Sequence, residues 1–181
     1  IAGGGAANWF GSGAPNRVFA TFGTIGGGSE NTIQTNAGHA TVGGGGQNMI
    51  QTDAQSSTIG GGRYNMIQSN TLHATIGGGW DNNIQPYAVY VTIGGGRLNK
   101  IQTNVWDATI GGGIGNMIWA NTDGATIGGG AANAIQTNAS YATVGRTYYD
   151  ERNTALFAQE SYGIANAQLR YRVAQWTVAV Y

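Results

Sequence analysis

The sequence predicts an all-β fold, a parallel β-roll or β-solenoid built from 17-residue coils. Three observations predict it. Thr, then Ile or Val, then Gly recurs at Thr24, Thr41, Thr58, Thr75, Thr92, Thr109, Thr126 and Thr143, always 17 residues apart. A fixed period without insertion or deletion is the mark of a stacked repeat architecture. Two apolar columns keep that period. Ile25, Val42, Ile59, Ile76, Ile93, Ile110 and Ile127 stand one residue after each Thr, and Ile33, Ile50, Ile67, Ile84, Ile101, Ile118 and Ile135 stand nine after it. Finally, the Gly run after each Ile or Val argues against a helix through the coil.

Residues 1–23 are expected to form a degenerate capping repeat. Setting Asn8 beneath Asn31 aligns Gly3-Gly4-Gly5 with Gly26-Gly27-Gly28 and Phe10 with Ile33. The excess length then falls around Gly11–Arg17, where Pro15 suits a loop. Trp9, Phe10, Phe19 and Phe22 suit an end cap, because a terminal repeat must cover an otherwise open core.

Residues 24–145 form seven coils and the start of an eighth. Alternation along each short strand points the Ile inward with the small residue before Thr (Ala40, Ser57, Ala74, Val91, Ala108, Ala125 or Ala142) and turns the Thr outward. Seven residues after Thr an unbroken Asn column runs through Asn31, Asn48, Asn65, Asn82, Asn99, Asn116 and Asn133. Asn accepts the left-handed conformation and bonds nearby backbone, so it is expected at a turn, where stacked amides can also form a ladder. Gln34-Thr35-Asn36 and its counterparts are expected at the other turn. The Gly column marks either a tight corner or a packing seam. At a layer spacing near 4.8 Å, eight coils make a rod on the order of 38 Å long. Two Ile and one small residue per coil make a thin core against an ordering cost of at least roughly 1 kcal/mol per residue. Burial against other chains along the Gly seam is the expected remedy.

Residues 146–181 are expected to be a β-rich capping or assembly segment. Arg146, Arg152, Arg170 and Arg172 are half of the chain's basic residues, and Gly becomes scarce. Residues 169–181 alternate and predict one long strand, with a helix over 166–175 as the rival. Leu169, Tyr171, Val173, Trp176, Val178, Val180 and Tyr181 are the assembly candidates, either closing the roll or adding to a neighbour's open edge.

Composition narrows the function classes. Gly makes up 33 of 181 residues, more than double the usual share of about 7%. Eight basic and eight acidic residues cancel, which gives no electrostatic reason to expect nucleic acid. No apolar run approaches the length of roughly 18 residues that spans a bilayer, so no membrane span is expected. Without Cys there is neither disulfide nor thiolate metal site. His39 and His73 share a column but stand two coils apart, too far to share a metal. Asp107 and Asp123 are nearly stacked, yet no acidic column exists to bind calcium. The Gly runs complete no phosphate loop or nucleophile elbow. No catalytic, cofactor-binding or metal-binding residue is expected, and the chain is not expected to be an enzyme.

The coil Ala-Thr-Ile-Gly-Gly-Gly-x-x-Asn-x-Ile, seen at Ala74–Ile84 and Ala125–Ile135, resembles the head repeats of trimeric autotransporter adhesins and related bacterial surface and phage-fibre proteins. The similarity covers residues 1–145. It implies a left-handed roll, three chains side by side, and an extracellular or cell-surface location. Family coils are usually shorter, and residues 146–181 match neither the family's stalk nor its anchor. The leading expectation is a non-enzymatic structural subunit of an extracellular fibre or filament, partnered by itself as a homotrimer or helical filament. The alternative is an adhesin head that binds a host, matrix or glycan ligand through scattered aromatics (Tyr64, Trp80, Tyr87, Tyr90, Trp106, Trp119, Tyr141). A minor third reading is an ice-binding solenoid, since the outward Thr row resembles the flat Thr faces of such proteins. Asn138-Ala139-Ser140 matches a glycosylation sequon by pattern alone.

Overall fold

The chain is described by a computed structural model that covers residues 15–136 and the backbone of the strands Thr143–Val144, Tyr171–Val173 and Trp176–Val178. Each coil spends its 17 residues on two dipeptide strands and the two connections between them. Many of the strand residues are β-branched, which favours extended backbone. One eight-stranded parallel sheet stacks Thr24–Ile25, Thr41–Val42, Thr58–Ile59, Thr75–Ile76, Thr92–Ile93, Thr109–Ile110, Thr126–Ile127 and Thr143–Val144. The other stacks Arg17–Val18, Thr32–Ile33, Met49–Ile50, Met66–Ile67, Asn83–Ile84, Lys100–Ile101, Met117–Ile118 and Ala134–Ile135. In the first sheet Thr pairs with Thr and Ile with Ile one period away, as in Thr92 with Thr75 and Ile93 with Ile76. The result is a parallel β-solenoid, and no helix occurs among the described residues.

The backbone joins coil to coil at more than the strands. From the coil starting at Thr75, N–H groups of Thr75, Gly77, Trp80, Asn83, Gln85 and Val89 donate upward to the next coil at 2.9–3.0 Å. Leu98, Asn104 and Asp107 donate back down to Trp80, Pro86 and Val89 at 3.0–3.1 Å. All of these bonds run between layers, so a 17-residue coil is held mainly by its neighbours. That is the nearest-neighbour logic of repeat proteins.

Both Ile columns are fully buried from Ile25 to Ile127, and Ile135 is nearly so. The residue before Thr is buried with them, from Ala40 to Ala125. A further buried column, Ala37, Ala54, Thr71, Ala88, Val105 and Thr122, completes the second connection. It is invisible to a search for large apolar residues because its members are mostly small or polar. Thr71 and Thr122 fit there because their hydroxyls donate to the carbonyls of Gln85 and Gln136. With these residues the interior closes inside a single chain. Replacing Ile76 by Ala removes a fully buried side chain flanked by Ile59 and Ile93. We expect a loss of about 2–5 kcal/mol in urea unfolding; a loss below about 1 kcal/mol would show that this column is not the core.

Two expectations change. Asn16, not Asn8, stands beneath Asn31, whose N–H and amide nitrogen donate to Asn16 Oδ1 at 3.0 and 3.1 Å. Arg17 and Val18 then pair with Thr32 and Ile33. The coil below Thr24 is therefore shortened by two residues in its second connection, and Asn16 and Arg17, expected in a loop, instead join the Asn ladder and the second sheet; Gly11–Ala14 lie outside the described residues. Asn8, Trp9 and Phe10 lie outside the described residues. At the other end, Tyr171–Val173 and Trp176–Val178 pair antiparallel, with Val173 opposite Trp176. The single long strand expected over 169–181 is thus two short ones. Leu169, Val180 and Tyr181 lie outside the described residues, as does the sequon at 138–140.

Candidate functional site

The repeated chemistry of the coil lies in its first connection, from the Gly run to the Asn. Asn82 shows how it works. Its N–H donates to Asn65 Oδ1 at 3.0 Å, and its own Oδ1 accepts the N–H of Asn99 at 3.0 Å. Its amide nitrogen donates to Asn65 Oδ1, to Gly78 O in the same coil and to Gly96 O in the next, at 3.1, 3.0 and 2.9 Å. From Asn31 to Asn116 these side chains are fully buried. The column is a polar ladder inside the rod; it supplies a donor to Gly78 O, which has no backbone partner, and a second donor to Gly96 O, which also accepts the N–H of Trp80.

The left-handed conformation expected of Asn belongs to the residue before it. Glu30, Gln47, Tyr64, Asp81, Leu98 and Ala132 have φ between 54° and 60°. Two other corners are left-handed too, at Asn36 and its counterparts and at His39 and its counterparts. The Gln-Thr-Asn turn therefore does place its Asn at positive φ, 59° at Asn36 and 55° at Asn104.

The Gly seam lies between coils of one chain. A Cβ on Gly77 would collide with the carbonyl oxygen of Gly94, and one on Gly79 with that of Gly96. Gly79 also has φ 94°, which L side chains rarely adopt. The close approach that the sequence suggests for a neighbouring chain is thus taken up by the next coil.

The outer surfaces differ in regularity. On the first sheet every outward strand residue is Thr, and among the described residues none of these hydroxyls makes a hydrogen bond within the chain. They form a single row, flanked by Gly. The equivalent position on the second sheet is variable and holds all three Met residues, Met49, Met66 and Met117, with Gln amides lying against their sulfurs. The aromatics gather on the two connections. On the first, Tyr64 and Trp80 meet edge to face with ring centroids 6.4 Å apart; Arg63 lies over Tyr64 at 4.8 Å and Arg97 over Trp80 at 5.6 Å. On the second, His39 stacks on Phe22 and His73 on Tyr90. An open depression there is lined by Phe22, His39, Asp53 and Gln55. No hydrogen bond joins His39 to Asp53, and no group of three metal-ligating side chains occurs among the described residues.

Of the assembly candidates, Tyr171, Val173, Trp176 and Val178 fall within the antiparallel pair. No helix among the described residues is long and apolar enough to cross a membrane. No model of a known protein family matches this chain, and no curated protein matches it in sequence.

Proposed function

We propose that the protein is a non-enzymatic structural subunit of an extracellular fibre or filament, a β-solenoid rod that associates with further copies of itself. The observation that carries this reading is the unbroken in-register stack, in which two sheets, the buried Asn ladder and the Gly seam repeat from coil to coil. What repeats is a means of stacking, and the large aromatic and charged side chains that vary are on the outside. The resemblance to surface and phage-fibre repeats agrees with this reading and supplies the extracellular location and the idea of three chains side by side.

An adhesin head is the second reading, favoured by the exposed cluster of Arg63, Tyr64, Trp80 and Arg97, whose rings and guanidinium groups suit a glycan or surface ligand. Negative-stain microscopy of the purified chain separates the two. Long uniform filaments or bundles support the fibre subunit; isolated short particles that bind a glycan array support the adhesin. Removing residues 169–181 tests the tail, since polymers that persist without it leave it no part in assembly. An ice-recrystallisation assay decides whether the single Thr row binds ice.

A further inference from the structure

Charge is segregated on this rod although the chain's net charge is zero. The two connections of a coil join the same two sheets, so they lie at opposite margins of the cross-section. Among residues 15–136 there are four bases: Arg63 and Arg97 on the first connection, where Glu30 and Asp81 oppose them, and Arg17 and Lys100 at the outward strand position directly after it. The second connection carries Asp53, Asp107 and Asp123 and no Lys or Arg. With Arg17 and Lys100 included, that first margin is net basic, and the other is acidic.

The levels match as well. Counting coils from Thr24, Arg63 stands in the third and Asp53 in the second. Arg97 and Lys100 stand in the fifth, Asp107 in the fifth and Asp123 in the sixth. Two parallel rods side by side in register would bring each of these bases within about one layer, roughly 4.8 Å, of an acid. Exposed apolar groups follow the same levels. Trp80 and Leu98 on the basic margin, at 41% and 43% exposure, face the heights of Tyr90 and Trp106 on the acidic margin, at 57% and 49%.

We propose that the two margins are complementary halves of one lateral interface, through which copies of this chain line up parallel and in register as a row. This rests on the fibre reading above and names its partner surface. A two-fold pairing would put each margin against itself, acid against acid or base against base. Basic-to-acidic pairing is instead heterologous, and heterologous contacts propagate unless the rotation between copies closes a ring. Because the margins are opposite each other, the row stays open. A glycan ligand would account for the basic margin alone; a second copy accounts for both.

The test uses the full chain and two charge reversals, Arg97→Glu with Lys100→Glu, and Asp107→Lys with Asp123→Lys. Arg97, Asp107 and Asp123 are exposed and Lys100 is half-exposed, so unchanged circular dichroism is expected; the acidic-side pair should melt slightly lower, because Asp107 has φ 51° and Asp123 Oδ1 accepts the N–H of Trp106 at 3.2 Å. In sedimentation equilibrium, the native chain is expected to show a mass that climbs with concentration and falls in about 0.5 M salt, where screening is short-ranged. Each reversal should weaken association at least tenfold, and an equimolar mixture of the two variants should restore it. Association untouched by salt and by both reversals would overturn the proposal, as would a closed trimer of fixed mass. If filaments still form while the reversals change nothing, the fibre reading stands and the lateral row falls. A chain that stays monomeric and forms no filament ends both.

Discussion

Replacing Asn82 by Ala is expected to lower the free energy of unfolding by about 3–5 kcal/mol, as is the same change at Asn48, Asn65 or Asn116, which make equivalent bonds. The side chain is fully buried. Without it, Gly78 O and Gly96 O lose their amide donor and the N–H of Asn99 loses its acceptor. Each buried polar group left unsatisfied costs about 1–3 kcal/mol; Gly78 O and the N–H of Asn99 are left so, whereas Gly96 O keeps the N–H of Trp80. Substitution by Asp is the sharper comparison. The change Asn82→Asp keeps the shape and the acceptor but loses the donor, and it buries a carboxylate beside Asn65 Oδ1 and two carbonyls. It should therefore be at least as damaging as Asn82→Ala near neutral pH. Urea unfolding of both variants checks this. A loss below about 1 kcal/mol for either would show that the ladder is decorative.

The second large effect separates neighbours within one Gly run. Gly79→Ala meets both a positive φ and the carbonyl oxygen of Gly96, backbone that cannot move without parting two coils. The expected result is failure to stack at that junction, seen as a loss of more than about 3 kcal/mol or as two independent unfolding transitions on either side of it. Gly78→Ala, one residue earlier, meets only atoms near 3.9 Å, so its cost comes from its φ of 153°, which L side chains rarely adopt. It should cost about 1–3 kcal/mol and leave the stack a single cooperative unit. Equal effects at the two positions would mean that Gly serves conformation alone and that contact between coils does not require it.

The stack itself was legible in the sequence because a period without insertion leaves few alternatives. If residue i lies above i−17 once, it does so throughout, and parallel in-register strands follow. The Ile columns were legible for the same reason. The Asn column reads as a left-handed turn position because its two preferences, for positive φ and for amide ladders, look alike in sequence. The structure separates them by giving the positive φ to Asp81 and the ladder to Asn82. The shortened first coil was missed because three Gly at residues 3–5 imitate the repeat more closely than Gly11 and Gly13 do, although the latter stand at the right distance from Asn16. The column from Ala37 to Thr122 was missed because small and hydroxylated side chains carry little hydropathy, even where they are fully buried. That omission made the core look too thin for one chain. The self-association proposed above therefore has no unfinished interior to complete, and the proposal assigns it to the outer margins.

The most direct measurement is the mass of the native 181-residue chain in solution by sedimentation equilibrium over a range of concentrations. A self-associating rod gives masses above the 18.7 kDa of a single chain, rising as the protein is concentrated. A constant 18.7 kDa at every concentration would contradict it.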